Sequence, residues 1–233
     1  FIMTRSAFAG QQRYGSGLWS GDVTSSWDVL RRQIPLGLNY TMTGCPNFNT
    51  DIGGFFGGDS TDPAFHEVLV RWFEYGAFCP VMRLHGDREP FTIPPLDHRD
   101  FGGGYLHTGQ DNEMWSYGEE IFAIMRKGYE LRRSLQPYLE SIFREAHENG
   151  SPLMRAMFYE FPEDEKCWTL SDQYMFGPDY LVAPILTPGT FAREVYLPAG
   201  SWQDIRTGEL LEGGRTVSAD APIDSIPVFK RVN

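Results

Sequence analysis

Three times in its first 149 residues the chain runs a short apolar stretch into a polar loop and then into a segment of helical period. Phe1–Ser6 reads as a buried strand, and a glycine-rich loop, Gly10–Asp22, follows it. Ser25 or Ser26 then caps a helix in which Trp27, Leu30, Ile34 and Leu38 share a face. Asn39–Gly44 reads as the second strand and leads to the loop Asp51-Ile52-Gly53-Gly54-Phe55. Asp62 caps the next helix, Pro63 fits its first turn, and Phe65, Val68, Leu69, Trp72 and Phe73 form its apolar face. Cys79–Leu84 is the third strand expected. A loop from His85 to about Trp115 is too long to be an idle connection. One long helix, Ser116–Glu148, kinked at Pro137, closes the series with Ile121, Met125, Leu135, Leu139 and Ile142 inward. This alternation predicts an α/β fold with a parallel sheet, of the kind that closes into a (β/α)8 barrel. In such a barrel the chemistry sits at the carboxyl ends of the strands.

The reactive residues obey that rule. Arg5, Asp22, Asp51, Arg83 and His85 all follow a predicted strand. In Trp19-Ser20-Gly21-Asp22 an acid stands beside an aromatic wall. Such a wall strips water from a carboxyl and favours its neutral, proton-donating form. The same spacing also fits a helix N-terminal or turn aspartate. Asp51 either orients Arg83 or His85 through an ion pair or initiates a turn. Arg83 and His85 are two apart on a strand, so their side chains point the same way. A purely structural pair fits that spacing equally well. His66, His98, His107 and His147 show no metal-ligand spacing and read as surface residues.

Beyond Asn149-Gly150 the pattern changes. Leu153–Phe161, Asp179–Ile185, Arg193–Leu197 and Ile226–Arg231 read as strands. Pro188-Gly189, Ala199-Gly200, Thr207-Gly208 and Gly213-Gly214 read as the turns between them. The sequence thus divides into an α/β part, 1–149, and a small antiparallel β-sandwich, 150–233, truncated at its end. Apolar residues, 41% of the chain, suffice for a core in each. A net charge of −11 without a basic run argues against nucleic acid as a partner. No apolar run approaches membrane-spanning length, so no membrane partner is expected. Cys45, Cys79 and Cys167 have neither metal spacing nor an even count, and read as buried packing residues. The chain opens at Phe1 inside a strand-like stretch and closes on another, as an internal piece of a longer protein would.

Several segments occur in an order that is specific. They are Thr4-Arg5-Ser6-Ala7-Phe8-Ala9-Gly10-Gln11-Gln12-Arg13-Tyr14, Trp19-Ser20-Gly21-Asp22, Asp51-Ile52-Gly53-Gly54-Phe55 and Arg71-Trp72-Phe73 with Gly76-Ala77-Phe78. Arg83-Leu84-His85-Gly86, Pro152-Leu153-Met154-Arg155 and Tyr180-Leu181-Val182-Ala183-Pro184 follow. In this order the chain resembles glycoside hydrolase family 31, the α-glucosidases and α-xylosidases, over nearly its whole length. The resemblance implies the C-terminal part of a (β/α)8 catalytic barrel followed by the proximal C-terminal β-domain. It also implies a retaining, exo-acting enzyme on α-linked oligosaccharides, with no metal or organic cofactor. By the same resemblance Asp22 is the general acid/base, Arg5 and His85 hold hydroxyls of the −1 sugar, and Trp19 and Phe55 flank it. Asp51 and Arg83 form a supporting shell. The family's nucleophile is an aspartate in an upstream Trp-x-Asp-Met-Asn-Glu type motif, and no such motif occurs here. The expected partners are therefore the substrate and a missing N-terminal half; a homo-oligomer is also compatible. The alternatives are an inactive fragment or split subunit that binds carbohydrate, and a transglycosylase or lyase of the same family.

Overall fold

A computed structural model describes residues 2–93 and 108–232. Of the expectations above, His98, His107 and the centre of the loop after His85 lie outside the described residues.

The first layer is a parallel sheet of β1 (Ile2–Thr4), β2 (Ser16–Trp19) and β3 (Phe48–Asn49), in that spatial order. The register pairs Ile2 with Ser16 and Leu18 with Phe48. Sequence period did not reveal β2, because Ser16 and Gly17 carry no apolar alternation into the Gly10–Asp22 loop. Between β2 and β3 lies α1 (Trp27–Thr41), whose Val29 amide is accepted by the side chain of Ser26. Leu30, Ile34 and Leu38 are buried, as their spacing predicts. The strand expected at Asn39–Gly44 is instead the end of α1 and a turn. Thr41 is buried there, and its hydroxyl donates to Gly37 O at 2.9 Å and Met154 O at 2.8 Å, which keeps the last turn helical. Pairing resumes at Phe48.

After β3 come β4 (Gly58–Asp59) and α2 (Pro63–Ala77), capped by Asp62 with Pro63 in its first turn. The third expected strand, Cys79–Leu84, pairs only through a lone parallel bridge, Ile52 to Leu84. The guanidinium of Arg132 takes up the carbonyls of Ala77, Cys79 and Pro80 at 2.9, 2.7 and 2.8 Å. Pro80 has no N–H to offer a neighbour. Further along, only Val81 N, donating to Phe48 O at 3.1 Å, and Arg83 O, accepting from Ile52 N at 3.2 Å, are bonded across to the β3 side among the described residues. β5 (Arg88–Ile93) pairs with β4 in parallel and with β6 (Thr108–Gln110) in antiparallel fashion.

The long helix is two helices, α3 (Gly118–Ser134) and α4 (Gln136–Asn149), separated at Leu135. Pro137 sits in the first turn of α4, where a missing N–H is tolerated, so the chain breaks rather than bends. Met125, Leu135, Leu139 and Ile142 are buried as expected.

The second region starts at β7 (Met154–Arg155), with a helical turn, α5 (Met157–Glu160), where the strand was expected to continue. The remaining strands are β8 (Tyr174–Phe176), β9 (Tyr180–Val182), β10 (Ala192–Leu197), β11 (Ser201–Asp204), β12 (Leu210–Glu212), β13 (Arg215–Asp220) and β14 (Val228–Val232). Six form one antiparallel sheet, ordered β12-β11-β14-β9-β8-β7, and β10 pairs with β13 as a separate ribbon. Period-two alternation explains the stacking. Tyr174, Phe176, Val182 and Val228 face the core shared with the barrel helices. Met175, Leu181 and Phe229 share a second core with Val195 and Leu197 of the ribbon and with Trp202 of β11. The sheet is therefore the middle layer between the half barrel and the ribbon, and its strands β7 and β8 are buried on both faces. All three cysteines are buried and free.

Candidate active site

The loops after β2 and β3 and the segment from Arg83 to Asp87 lie side by side, and backbone hydrogen bonds zip them together. The amides of Phe55 and Phe56 donate to Val23 O at 2.7 and 3.1 Å, and Ser25 N donates to Phe56 O at 2.7 Å. Asp87 N donates to Phe55 O at 2.8 Å, and Ile52 N to Arg83 O at 3.2 Å. The loops carrying Asp22, Asp51 and His85 thus form one continuous rim. Gly53 and Gly54 turn the middle loop with φ of 87° and 76°. A Cβ on Gly54 would also lie 2.7 Å from the Ser25 backbone. Both demands select glycine there.

All seven residues singled out from sequence lie on this rim. Asp22 and Arg5 form an ion pair, with side chains 29% and 61% exposed. The Arg5 guanidinium lies 5.4 Å from the ring centroid of Trp19, and that of Arg83 lies 5.9 Å from it. Cations at that range are attracted to an indole face. Arg83 Nη1 donates to Asp51 Oδ1 at 2.6 Å. Asp51 does both things the sequence allowed: its carbonyl also accepts from Gly54 N at 2.9 Å, closing a turn. His85 follows Arg83 and packs against Phe55 with centroids 5.5 Å apart.

Burial sets the electrostatics. Asp51 is fully buried, and its Oδ2 has no hydrogen-bond partner among the described residues. Desolvation pushes its carboxyl up to about 6, against the pull of Arg83. Burial also lowers the pKa of His85, and the positive charge of Arg83 adds to the shift. His85 is therefore neutral near pH 7 and offers one N–H donor and one acceptor. The indole Nε1 of Trp19 is buried and likewise has no partner among the described residues.

Three supports were not read from sequence. Thr50 Oγ1 accepts from Trp72 Nε1 at 3.3 Å and from Ser20 Oγ at 3.2 Å, tying α2 to the rim. The amide of Asn49 donates to Leu18 O at 3.3 Å. The third is Arg88, buried beneath the Asp51–Phe55 loop. None of these has a helical or alternating period to announce it. His147 is exposed as expected, whereas His66 is half buried, within 2.7 Å of Ser60 O and edge-on to Tyr117.

Carboxylates, guanidinium groups, an imidazole and aromatic faces crowd together at one end of the parallel strands, the end that carries the chemistry in (β/α)8 barrels. Residues 1–142 match the family model of the glycosyl hydrolases family 31 TIM-barrel domain, and residues 150–233 match that of the family's C-terminal domain. The chain belongs to glycoside hydrolase family 31. It is 40% identical over 231 residues to an alpha-xylosidase of Saccharolobus solfataricus, covering 99% of this chain and 29% of that protein. It is 36% identical over 233 residues to neutral alpha-glucosidase C of Homo sapiens, covering 99% of this chain and 23% of that one. The crystal structure of a family 31 alpha-xylosidase from a soil metagenome, complexed with xylose, superposes with a TM-score of 0.93 at 49% identity. That match covers 98% of this chain and 34% of the other. The chain spans about a third or less of the length of these relatives.

Proposed function

We propose that this chain is the acid/base-bearing part of a retaining, exo-acting α-glycosidase of the α-xylosidase or α-glucosidase type. The observation that carries the reading is the convergence of Arg5, Trp19, Asp22 and His85 on one rim, with Asp51 and Arg83 paired beneath it. In the complete protein an upstream aspartate attacks C1 of the terminal sugar. As the glycosidic bond breaks, Asp22 gives its proton to the departing oxygen. It then takes a proton from the water that releases the glycosyl-enzyme. The two carboxyl groups of such a pair stand roughly 5–5.5 Å apart. Arg5 and neutral His85 hold hydroxyls of the −1 sugar, and Trp19 and Phe55 form its apolar walls.

The open edge agrees with this reading. Among the described residues β1 pairs only with β2, and Ile2, Phe8 and Tyr14 near it are exposed. We take this edge as the seat of the upstream barrel strands and the nucleophile. The isolated 233-residue chain should then turn over no aryl α-glycoside, and measurable turnover by the pure chain would refute the assignment of the nucleophile elsewhere.

The test of Asp22 uses the full-length parent. Asp22→Ala should slow aryl glycosides with poor leaving groups by about 10²–10⁴-fold while sparing activated ones. Equal rates on both substrate types, unchanged from wild type, would remove Asp22 from the mechanism. Running the panel with xylosides and glucosides reads the specificity of the same site.

A further inference from the structure

Arg88 is a fully buried cation placed under the rim rather than on it. Its Nη2 donates to Ile52 O at 3.1 Å and its Nη1 to Gly54 O at 2.9 Å. Those two carbonyls flank Gly53, between Asp51 and Phe55. Nη1 also approaches Ser25 Oγ at 3.5 Å, three residues beyond Asp22. On the other side Nε donates to Asn112 Oδ1 at 3.0 Å and to Tyr117 Oη at 3.1 Å. Asn112 in turn donates to Gly86 O at 3.3 Å, next to His85. One guanidinium therefore touches or adjoins each of the three loops that make up the site. Its flat face lies 4.9 Å from the centroid of Phe65.

The surroundings are cut to fit it. A Cβ on Gly53, Gly58 or Gly86 would stand 2.9, 2.9 or 2.5 Å from the guanidinium nitrogens. Glycines on three separate segments leave the space that the group fills. All of its acceptors among the described residues are neutral, so it makes no close ion pair there. A buried charge is tolerated when its donors are used, and here the fork is spent on holding backbone. Without it, Gly54 O would have no donor among the described residues, and the glycine turn would lose its anchor.

We propose that Arg88 is the positioning residue of the −1 sugar site. It fixes the Asp51–Phe55 turn so that Phe55 meets the sugar ring while the Asp51–Arg83 pair stays seated beneath the rim, and it does not touch the reacting atoms. This rests on the glycosidase reading above. Displacing a substrate-binding wall by about 1 Å costs on the order of 10²-fold in rate. Because the wall holds the sugar and not the leaving group, the loss should be the same for good and poor leaving groups.

The experiment compares Arg88→Met, Arg88→Lys, Tyr117→Phe and Asp22→Ala in the full-length parent. It measures kcat and KM on activated and poor aryl glycosides, inhibition by the free monosaccharide, and thermal unfolding. For Arg88→Met we expect kcat/KM to fall by about 10- to 100-fold, equally across leaving groups. Monosaccharide inhibition should weaken in parallel. Arg88→Lys should recover only part of this, since an ammonium cannot span both carbonyls. Tyr117→Phe, which removes one acceptor and leaves the fork in place, should show a smaller loss of the same kind. If Arg88→Met does not fold, the other two positional variants decide. Rates and monosaccharide inhibition within twofold of wild type, with only the unfolding temperature lowered, would make Arg88 a packing residue and overturn the proposal. A loss graded by leaving group would overturn it too. Failure of the glycosidase reading itself shows separately, as the absence of leaving-group discrimination in Asp22→Ala.

Discussion

Two arginine–carboxylate pairs in this molecule join the same side chains to different ends. Arg5 and Asp22 meet on the rim, 61% and 29% exposed, across two loops. Arg71 and Glu74 meet beneath the seam between α2 and the β-sandwich, 0% and 7% exposed. On the rim the guanidinium has one carboxylate, an indole face and water. Under the seam Arg71 Nη1 donates to Glu74 at 3.0 Å, Pro222 O at 3.1 Å and Ser225 O at 3.2 Å. Its Nη2 donates to Ala221 O at 2.7 Å and Thr190 O at 3.3 Å. An exposed pair is weak because water screens it and competes for each partner. A buried one cannot be broken without stranding the other members. The first is free to exchange partners, as the proposed sugar site requires. The second clasps the half barrel to the β-sandwich.

The comparison breaks first at Arg71. Arg71→Leu in the full-length parent should cost about 1–3 kcal/mol or more, because Glu74 and four carbonyls lose their donor beneath the seam. The expected readout is a clear fall in the unfolding temperature, with faster amide exchange around Ala221 and Ser225. An unchanged unfolding temperature would mean that water enters the seam and that the two pairs are alike after all.

A smaller effect sharpens the contrast through pH. Burial pushes Glu74 up to about 8 from its ordinary 4.5, although Arg71 pulls the other way. The folded state therefore holds this proton more tightly than the unfolded state. Linkage then makes the contribution of Glu74 to stability fall as pH rises from about 4.5 to about 8. Glu74→Gln keeps an acceptor for Arg71 and removes the titration. Its unfolding temperature should decline less than that of wild type across this window. Parallel curves for the two proteins would show that Glu74 is ionised in the fold throughout.

The same contrast explains what was legible in the sequence. α2 could be read because Asp62 and Pro63 start it and an apolar stripe continues it. The rim was legible only in part: Arg5 follows β1, which was expected, whereas Asp22 and Asp51 follow β2 and β3, which are too short for their period to announce them. Glycines at 53 and 58 were visible as letters, but their meaning depends on Arg88, which arrives from 30 to 35 residues away. Arg71 looks like any helical arginine until the carbonyls of residues 221–225 fold over it. Strand Cys79–Leu84 was misread for the same reason. Its apolar letters say strand, but Arg132, more than 50 residues on, caps its carbonyls. Local pattern carries the elements, and long-range guanidinium clasps decide how their ends are satisfied.

The smallest effect on stability belongs to the rim. Arg5→Met in the full-length parent removes a pair that stands largely in water. Exposed pairs contribute from nothing to about 1 kcal/mol, so the unfolding temperature should hardly move. The thioether stem can still lie on the face of Trp19, which keeps most of the apolar contact. Function should not be spared in the same way. If Arg5 holds hydroxyls of the −1 sugar, its loss should raise KM for an aryl glycoside and weaken inhibition by the free monosaccharide by a similar factor. A stability loss near that of Arg71→Leu, with KM unchanged, would make the rim pair a structural clasp and erase the difference between the two regions. A changed KM in a protein that unfolds where wild type does would establish that this arginine serves the ligand, while Arg71 serves the fold.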